Sequence, residues 1–109
     1  WSELKIGYFT KHGDGGIDLA PLGSLVKHEV KELARELEIP AEIIEKKPSA
    51  GLWDEQTDES EMGFSYQQLD HYILNGEAEP EVEKKINEMA AKNRHKVEAI
   101  PIPKRDDIV

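Results

Sequence analysis

The stretch that decides the fold class is Leu4 to Ile17, LKIGYFTKHGDGGI. Its first part, Leu4 to Thr10, alternates loosely and carries Ile6, Tyr8, Phe9 and Thr10, a composition and rhythm that predict a β-strand. His12 to Gly16 then predicts a tight loop, because Gly13, Gly15 and Gly16 allow backbone angles and close approaches that other residues resist. Downstream, Ile17 to Leu22 reads as a short extended piece ending near Pro21. Val26, Val30, Leu33, Ala34 and Leu37 recur at helical spacing and predict an amphipathic helix from Ser24 to Leu37. Pro40 suits a helix start, so Ala41 to Glu45 is expected to be a short second helix.

Lys46 to Glu61 reads as a long loop whose later part, Asp54 to Glu61, is densely acidic. Such a run is ordinarily a solvated segment, and Trp53 at its start is expected to anchor it by burial. Ser65 with Gln68 forms a capping-box pattern for a helix through Leu74. Val82, Ile86, Met89 and Ala90 mark a last helix from Pro80 to Asn93, followed by a proline-interrupted tail. One strand among several helices cannot make a complete sheet. The reading is therefore an α/β fold, mostly helical in this part, with 1–109 belonging to one domain whose other strands lie before residue 1. The start at Trp1 fits a fragment or a processed chain.

The 109 residues suffice for one core, yet only 38% are hydrophobic and 34% are charged, so the core is thin or shared with another surface. A net charge of −9 and a pI near 4.9 disfavour nucleic acid and anionic membranes as partners. Phosphorylated small molecules stay open, since a few lysines and backbone amides can hold phosphate inside an acidic protein. The absence of cysteine excludes disulfides, thiol catalysis and Cys-rich zinc sites. The histidines at 12, 28, 71 and 95 lack metal-ligand spacing. No apolar run reaches membrane-spanning length, so a cytoplasmic location is the expectation.

Three segments in this order resemble the ammonia-dependent NAD synthetases: Gly7 to Lys27 (GYFTKHGDGGIDLAPLGSLVK), Lys47 to Asp70 (KPSAGLWDEQTDESEMGFSYQQLD), and the pair His95-Lys96 before a proline-containing tail. Gly-rich loops are common singly; three such segments in register are specific. The resemblance implies the C-terminal portion of an adenine-nucleotide α-hydrolase-like fold of the ATP pyrophosphatase group, and a homodimer. It implies amidation of nicotinic acid adenine dinucleotide (deamido-NAD) with ammonia, ATP being the co-substrate and Mg²⁺ the metal. The nicotinate carboxylate attacks the α-phosphate of ATP to give an acyl-adenylate and pyrophosphate; ammonia then displaces AMP. The family's Ser-Gly-Gly-x-Asp-Ser pyrophosphate loop is absent from 1–109, which leaves open a non-catalytic dimerisation piece or a ligase for another carboxylate.

The same resemblance implies roles residue by residue. Lys27 and Ser49 would bind ATP, Glu3 would ligate Mg²⁺, and Lys11, Asp18, His95 and Lys96 would bind deamido-NAD. Asp14 would serve the ammonia step, with Lys27 as its catalytic counterpart in adenylation. By residue chemistry alone Lys27 reads as a solvated helix lysine, Ser49 as a turn or capping serine, and Glu3 as an exposed acid. On the same terms Lys11 and Asp18 are a surface pair, His95 and Lys96 a basic helix end, and Asp14 a turn-former. His12 and His28 read as surface residues. Because phosphate positioning is most of what such an enzyme contributes, residues 1–109 alone are expected to form no NAD from ATP, ammonia and deamido-NAD; chromatographic detection of NAD checks this.

Overall fold

The computed structural model describes residues 1–108, and among them there is no β-strand. The described residues form six α-helices: α1 (Ser2–Ile6), α2 (Lys27–Glu36), α3 (Ala41–Ile44), α4 (Asp58–Met62), α5 (Tyr66–Asn75) and α6 (Pro80–Lys92). Two 3-10 turns follow, Arg94–Lys96 and Arg105–Asp107, in an otherwise irregular tail.

The strand expected at Leu4 to Thr10 is replaced by the end of α1 and an irregular connection. Burial decides the matter. Ser2 and Ile6, four residues apart, are the two buried positions of α1, so that helix packs one face rather than alternating in a sheet. Gly7 stops the helix in the left-handed region at φ 66°. A Cβ there would also lie 2.4 Å from the Asn93 Cβ, so glycine is required both by backbone angle and by space. The β-forming residues Tyr8 and Phe9 are overridden by this packing.

α2 begins three residues later than its apolar spacing predicts, and Val26 at its N-cap has no side-chain acceptor. Its first free amides are met from elsewhere in the chain. The Lys27 amide donates to Ser2 Oγ at 2.9 Å and the His28 amide donates to Asp70 Oδ2 at 2.9 Å. α5 begins where Ser65 and Gln68 place it. The Gln68 amide donates to Ser65 Oγ and the Ser65 amide to Gln68 Oε1, a reciprocal box. α6 carries Pro80 in its first turn and ends at Lys92, as its periodicity indicates.

The long loop expected through Glu61 is cut short by α4. A second box starts that helix: the Ser60 amide donates to Thr57 Oγ1 at 3.2 Å and the Thr57 amide to Ser60 Oγ at 3.3 Å. Gly63, at φ 78°, ends it. Trp53 does not anchor the loop, being 58% exposed. Gln56 and Asp58 are buried in its place, and the acidic run is partly internal.

The core lies where α1, α5 and α6 meet. Ile6, Leu69 and Ile86 are fully buried, surrounded by Met62, Phe64, Tyr66 and Val82. α5 is central, since it packs against α1, α2 and α6. α2 packs on α5, and α3 packs on α2. No helix among the described residues is long and apolar enough to cross a membrane. Truncating Leu69, which is completely buried, is expected to lower unfolding free energy by about 3 kcal/mol, transfer and cavity terms together. Leu52→Ala, at a residue 71% exposed, should stay within about 0.5 kcal/mol. Urea unfolding midpoints of the two variants check the contrast.

Candidate functional site

One open cleft, of about 490 Å³, gathers side chains from the whole length of the chain. Glu3 comes from α1, Asp14 from the glycine-rich loop, Lys27 from α2, Ser49 from the segment before α4, and Lys96 from the 3-10 turn after α6. The cleft exists because α1, the first turn of α2 and the start of α4 converge on one end of α5.

Lys27 is fixed from two sides. Its ammonium lies 2.6 Å from Glu3 Oε1 and 4.9 Å from the centre of the Tyr66 ring. The side chain stays a quarter exposed, so the charge still faces the cleft. Tyr66, nearly buried, donates its hydroxyl proton to Asp58 Oδ2 at 2.7 Å. Burial, this hydrogen bond and the neighbouring carboxylates push its phenol well above the ordinary tyrosine range, which keeps the ring neutral beneath the lysine. Glu3 Oε2 makes no hydrogen bond among the described residues and is the open oxygen of the pair.

Ser49 is committed within its own loop. Its hydroxyl lies 2.6 Å from the Gln56 carbonyl oxygen and 3.0 Å from Gln56 Oε1, and it accepts from the Gly51 amide at 3.0 Å. A hydroxyl has one proton, so the shorter bond to the carbonyl takes it and one lone pair remains. Gln56 in turn donates to Glu61 Oε2 at 3.1 Å, and Tyr8 donates its hydroxyl to the same carboxylate. The Asp58 amide donates to the Pro48 carbonyl at 2.9 Å, which closes the loop.

Lys96 also has structural duties. Its ammonium donates to the carbonyls of Gly7 at 2.9 Å and Phe9 at 2.8 Å, while Asn93 donates to the Ile6 carbonyl at 3.0 Å. One of the three ammonium protons is left for a ligand. Asp14 is exposed and accepts a long 3.4 Å hydrogen bond from the Thr10 amide. Of the loop glycines, Gly15 is needed for room rather than for an unusual angle. None of Gly13, Gly15 and Gly16 has positive φ, but a Cβ on Gly15 would lie 2.4 Å from the Lys11 carbonyl oxygen.

The structure thus brings Glu3, Asp14, Lys27, Ser49 and Lys96 together. Lys11, Asp18 and His95 do not line that cleft. Lys11 and Asp18 do not pair with each other, and Asp18 and His95 are exposed. Among the described residues no group of three or more acidic or imidazole side chains could hold a metal by itself. Sequence reasoning missed Ser2, Gln56, Asp58, Tyr66 and Asp70. One signal was available for the last two: positions 66, 69, 70 and 73 form one face of α5, so Asp70 falls on its apolar stripe beside Leu69. His28 is tied down more than a surface residue would be, with Nδ1 3.1 Å from Asp70 Oδ2.

A family model described as NAD synthase matches residues 1–100. A protein of Carboxydothermus hydrogenoformans named NH(3)-dependent NAD(+) synthetase is 54% identical over 102 residues, which is 94% of this chain and 42% of that protein. One of the same name from Archaeoglobus fulgidus is 49% identical over 99% of this chain and 45% of its own length. A solved structure described as NMN synthetase from Francisella tularensis superposes with a TM-score of 0.89 at 41% identity, over 94% of this chain and 43% of the other. The chain therefore spans less than half the length of these relatives, and it matches their C-terminal part.

The state of Tyr66 can be read from stability. With its proton held in the folded state above the ordinary value near 10, its contribution is fully present below pH 10. As pH rises further, the unfolded chain ionises Tyr66 while the folded chain does not, and stability is lost. Tyr66→Phe is expected to flatten that alkaline decline while leaving the slope below pH 9 unchanged. Urea unfolding across pH 8 to 11 checks it.

Proposed function

Because the chain belongs to the NAD synthase family, we propose that it supplies part of the active site of an enzyme that amidates deamido-NAD with ammonia and ATP. The observation that carries this reading is the convergence of Glu3, Asp14, Lys27, Ser49 and Lys96 on one cleft from segments scattered over the chain. In the first half-reaction a nicotinate carboxylate oxygen bonds to the α-phosphorus of ATP, and the bond to the pyrophosphate oxygen breaks. In the second, ammonia bonds to the acyl carbon, AMP leaves with the electron pair of the broken bond, and the nitrogen loses a proton.

Lys27 follows the negative charge that develops on the phosphates, its own charge held by Glu3 and the Tyr66 ring. Ser49 can offer an acceptor lone pair but not its proton while the Gln56 bond stands, so a ribose hydroxyl suits it better than a phosphate oxygen. Glu3 Oε2, open to the cleft, fits a magnesium ligand of the usual kind, in which one or two carboxylates act with substrate phosphates. Magnesium bound there would neutralise phosphate charge. Asp14, exposed and lightly hydrogen-bonded, attracts ammonium electrostatically and takes its proton or relays it.

Lys96 has one proton free for the dinucleotide. Lys11, Asp18 and His95, which do not line the cleft, would reach the dinucleotide only outside it, on the side closed by the second subunit of a homodimer. Their assignment, the homodimer and a cytoplasmic location rest on the family resemblance. A second reading, a mononucleotide in place of the dinucleotide, is favoured by the likeness to the Francisella tularensis protein; the higher identity to the NAD(+) synthetases favours the dinucleotide.

In the full-length protein, the two half-reactions are expected to separate. Lys27→Ala should slow adenylate formation by about a hundredfold or more, with little change in melting temperature. Asp14→Asn should leave single-turnover pyrophosphate release intact and slow the ammonia-dependent step by about a hundredfold. Rapid-quench assays with deamido-NAD and, in parallel, with the mononucleotide read both steps. Equal damage to both steps by Asp14→Asn would remove it from the ammonia chemistry.

A further inference from the structure

Asp70 is a carboxylate only 3% exposed, and no lysine or arginine among the described residues pairs with it. A buried charge in that situation is strongly disfavoured unless hydrogen bonds replace its water. Here they all come from two places. Oδ1 accepts the Ser2 hydroxyl proton at 2.5 Å, and Oδ2 accepts from the His28 amide at 2.9 Å, with His28 Nδ1 at 3.1 Å. The direction of the Ser2 bond is forced. A carboxylate oxygen can only accept, so the single Ser2 proton goes to Asp70, while one Ser2 lone pair accepts from the Lys27 amide at 2.9 Å.

The consequence is geometric. Val26 offers α2 no cap, so the first two amides of that helix, at Lys27 and His28, depend on Asp70 directly or through Ser2. Ser2 precedes Glu3, and Lys27 carries the amide that Ser2 receives. The same carboxylate therefore fixes the backbone beneath both members of the 2.6 Å Glu3–Lys27 pair. It does so from α5, the helix at the centre of the core. The start of α2 also suits an anion, because the helix dipole is positive there.

We propose that Asp70 is a positioning residue for adenylation: through Ser2 and the α2 amides it sets where Glu3 and Lys27 stand in the cleft. This rests on the nucleotide reading of that cleft. Displacing a group that tracks phosphate charge by about 1 Å can cost up to roughly a hundredfold in rate, and a cap that only held the fold together would not act selectively on one half-reaction.

The test uses the full-length protein and four variants: Asp70→Asn, Ser2→Ala, Lys27→Ala and the double variant Asp70→Asn/Lys27→Ala. Asparagine keeps the size and one acceptor oxygen, which can serve His28, but it cannot accept protons on both sides. Asp70→Asn is expected to slow adenylate formation about 10- to 100-fold and raise the KM for ATP. The ammonia step and the KM for deamido-NAD should be unchanged. In the Lys27→Ala background the same substitution should add less than about a twofold loss, because the Glu3–Lys27 pair that it positions is already broken there. Should Asp70→Asn fail to fold, Ser2→Ala breaks the same relay at the Lys27 amide and should show the same selectivity for adenylation. Multiplicative losses in the double variant, or equal losses in both half-reactions, would overturn the proposal. Normal adenylation by a folded Ser2→Ala or Asp70→Asn protein would do the same. A wild-type protein that forms no adenylate with either nucleotide would instead overturn the functional reading, and this assignment with it.

Discussion

The buried carboxylate of Asp70 constrains the arrangement more than any other single group. It cannot lie in the interior of α5 unless donors are brought to it, and the donors available are the Ser2 hydroxyl and the first turn of α2. Meeting that demand fixes α1 and α2 against the same helix. α2 in turn gains the cap that Val26 does not provide. A helix start that looks unsupported in sequence is thus supported across a separation of about 40 residues. The apolar contacts of Ile6, Leu69 and Ile86 supply the burial that holds these elements together. The polar network decides their register.

The cleft is built from groups that are mostly occupied already. Lys96 spends two protons on the Gly7–Phe9 turn, Ser49 spends its proton on Gln56, and Lys27 shares its charge with Glu3. What each has left narrows what it can do: one donor on Lys96, one acceptor on Ser49, one open carboxylate oxygen on Glu3. Groups held in this way need little reorganisation when a ligand arrives, which is the condition for electrostatic stabilisation to be effective. Asp14 differs, being exposed and weakly held. In an acidic chain of net charge −9, Lys27 and Lys96 line this cleft while the Asp58 carboxylate accepts from the nearly buried Tyr66 hydroxyl.

The helical elements were legible to the degree that their signals were local. The Ser65–Gln68 box and Pro80 place α5 and α6 closely. The Thr57–Ser60 box was equally local, yet the surrounding acidic residues made the segment look like solvated loop. Leu4 to Thr10 misled in the opposite way. Its residues favour a strand, but the partners a strand would need are not among the described residues, and Ser2 and Ile6 instead bury one helical face. Trp53 stayed outside because the loop is held by hydrogen bonds to Gln56 rather than by apolar burial.

Sequence by itself determined the family, the approximate places of the longer helices and the functional groups that Glu3, Asp14, Lys27, Ser49 and Lys96 carry. These follow from residue identity and from spacings of a few positions, which a linear pattern preserves. Tertiary structure alone decided that these five share a cleft while Lys11, Asp18 and His95 stand outside it. It alone decided that Asp70 and Ser2 cap α2, and that Tyr66 underlies Lys27. The reason is physical. Capping, charge pairing and desolvation depend on distances of a few ångströms between residues far apart in the chain, and only packing around α5 sets those distances.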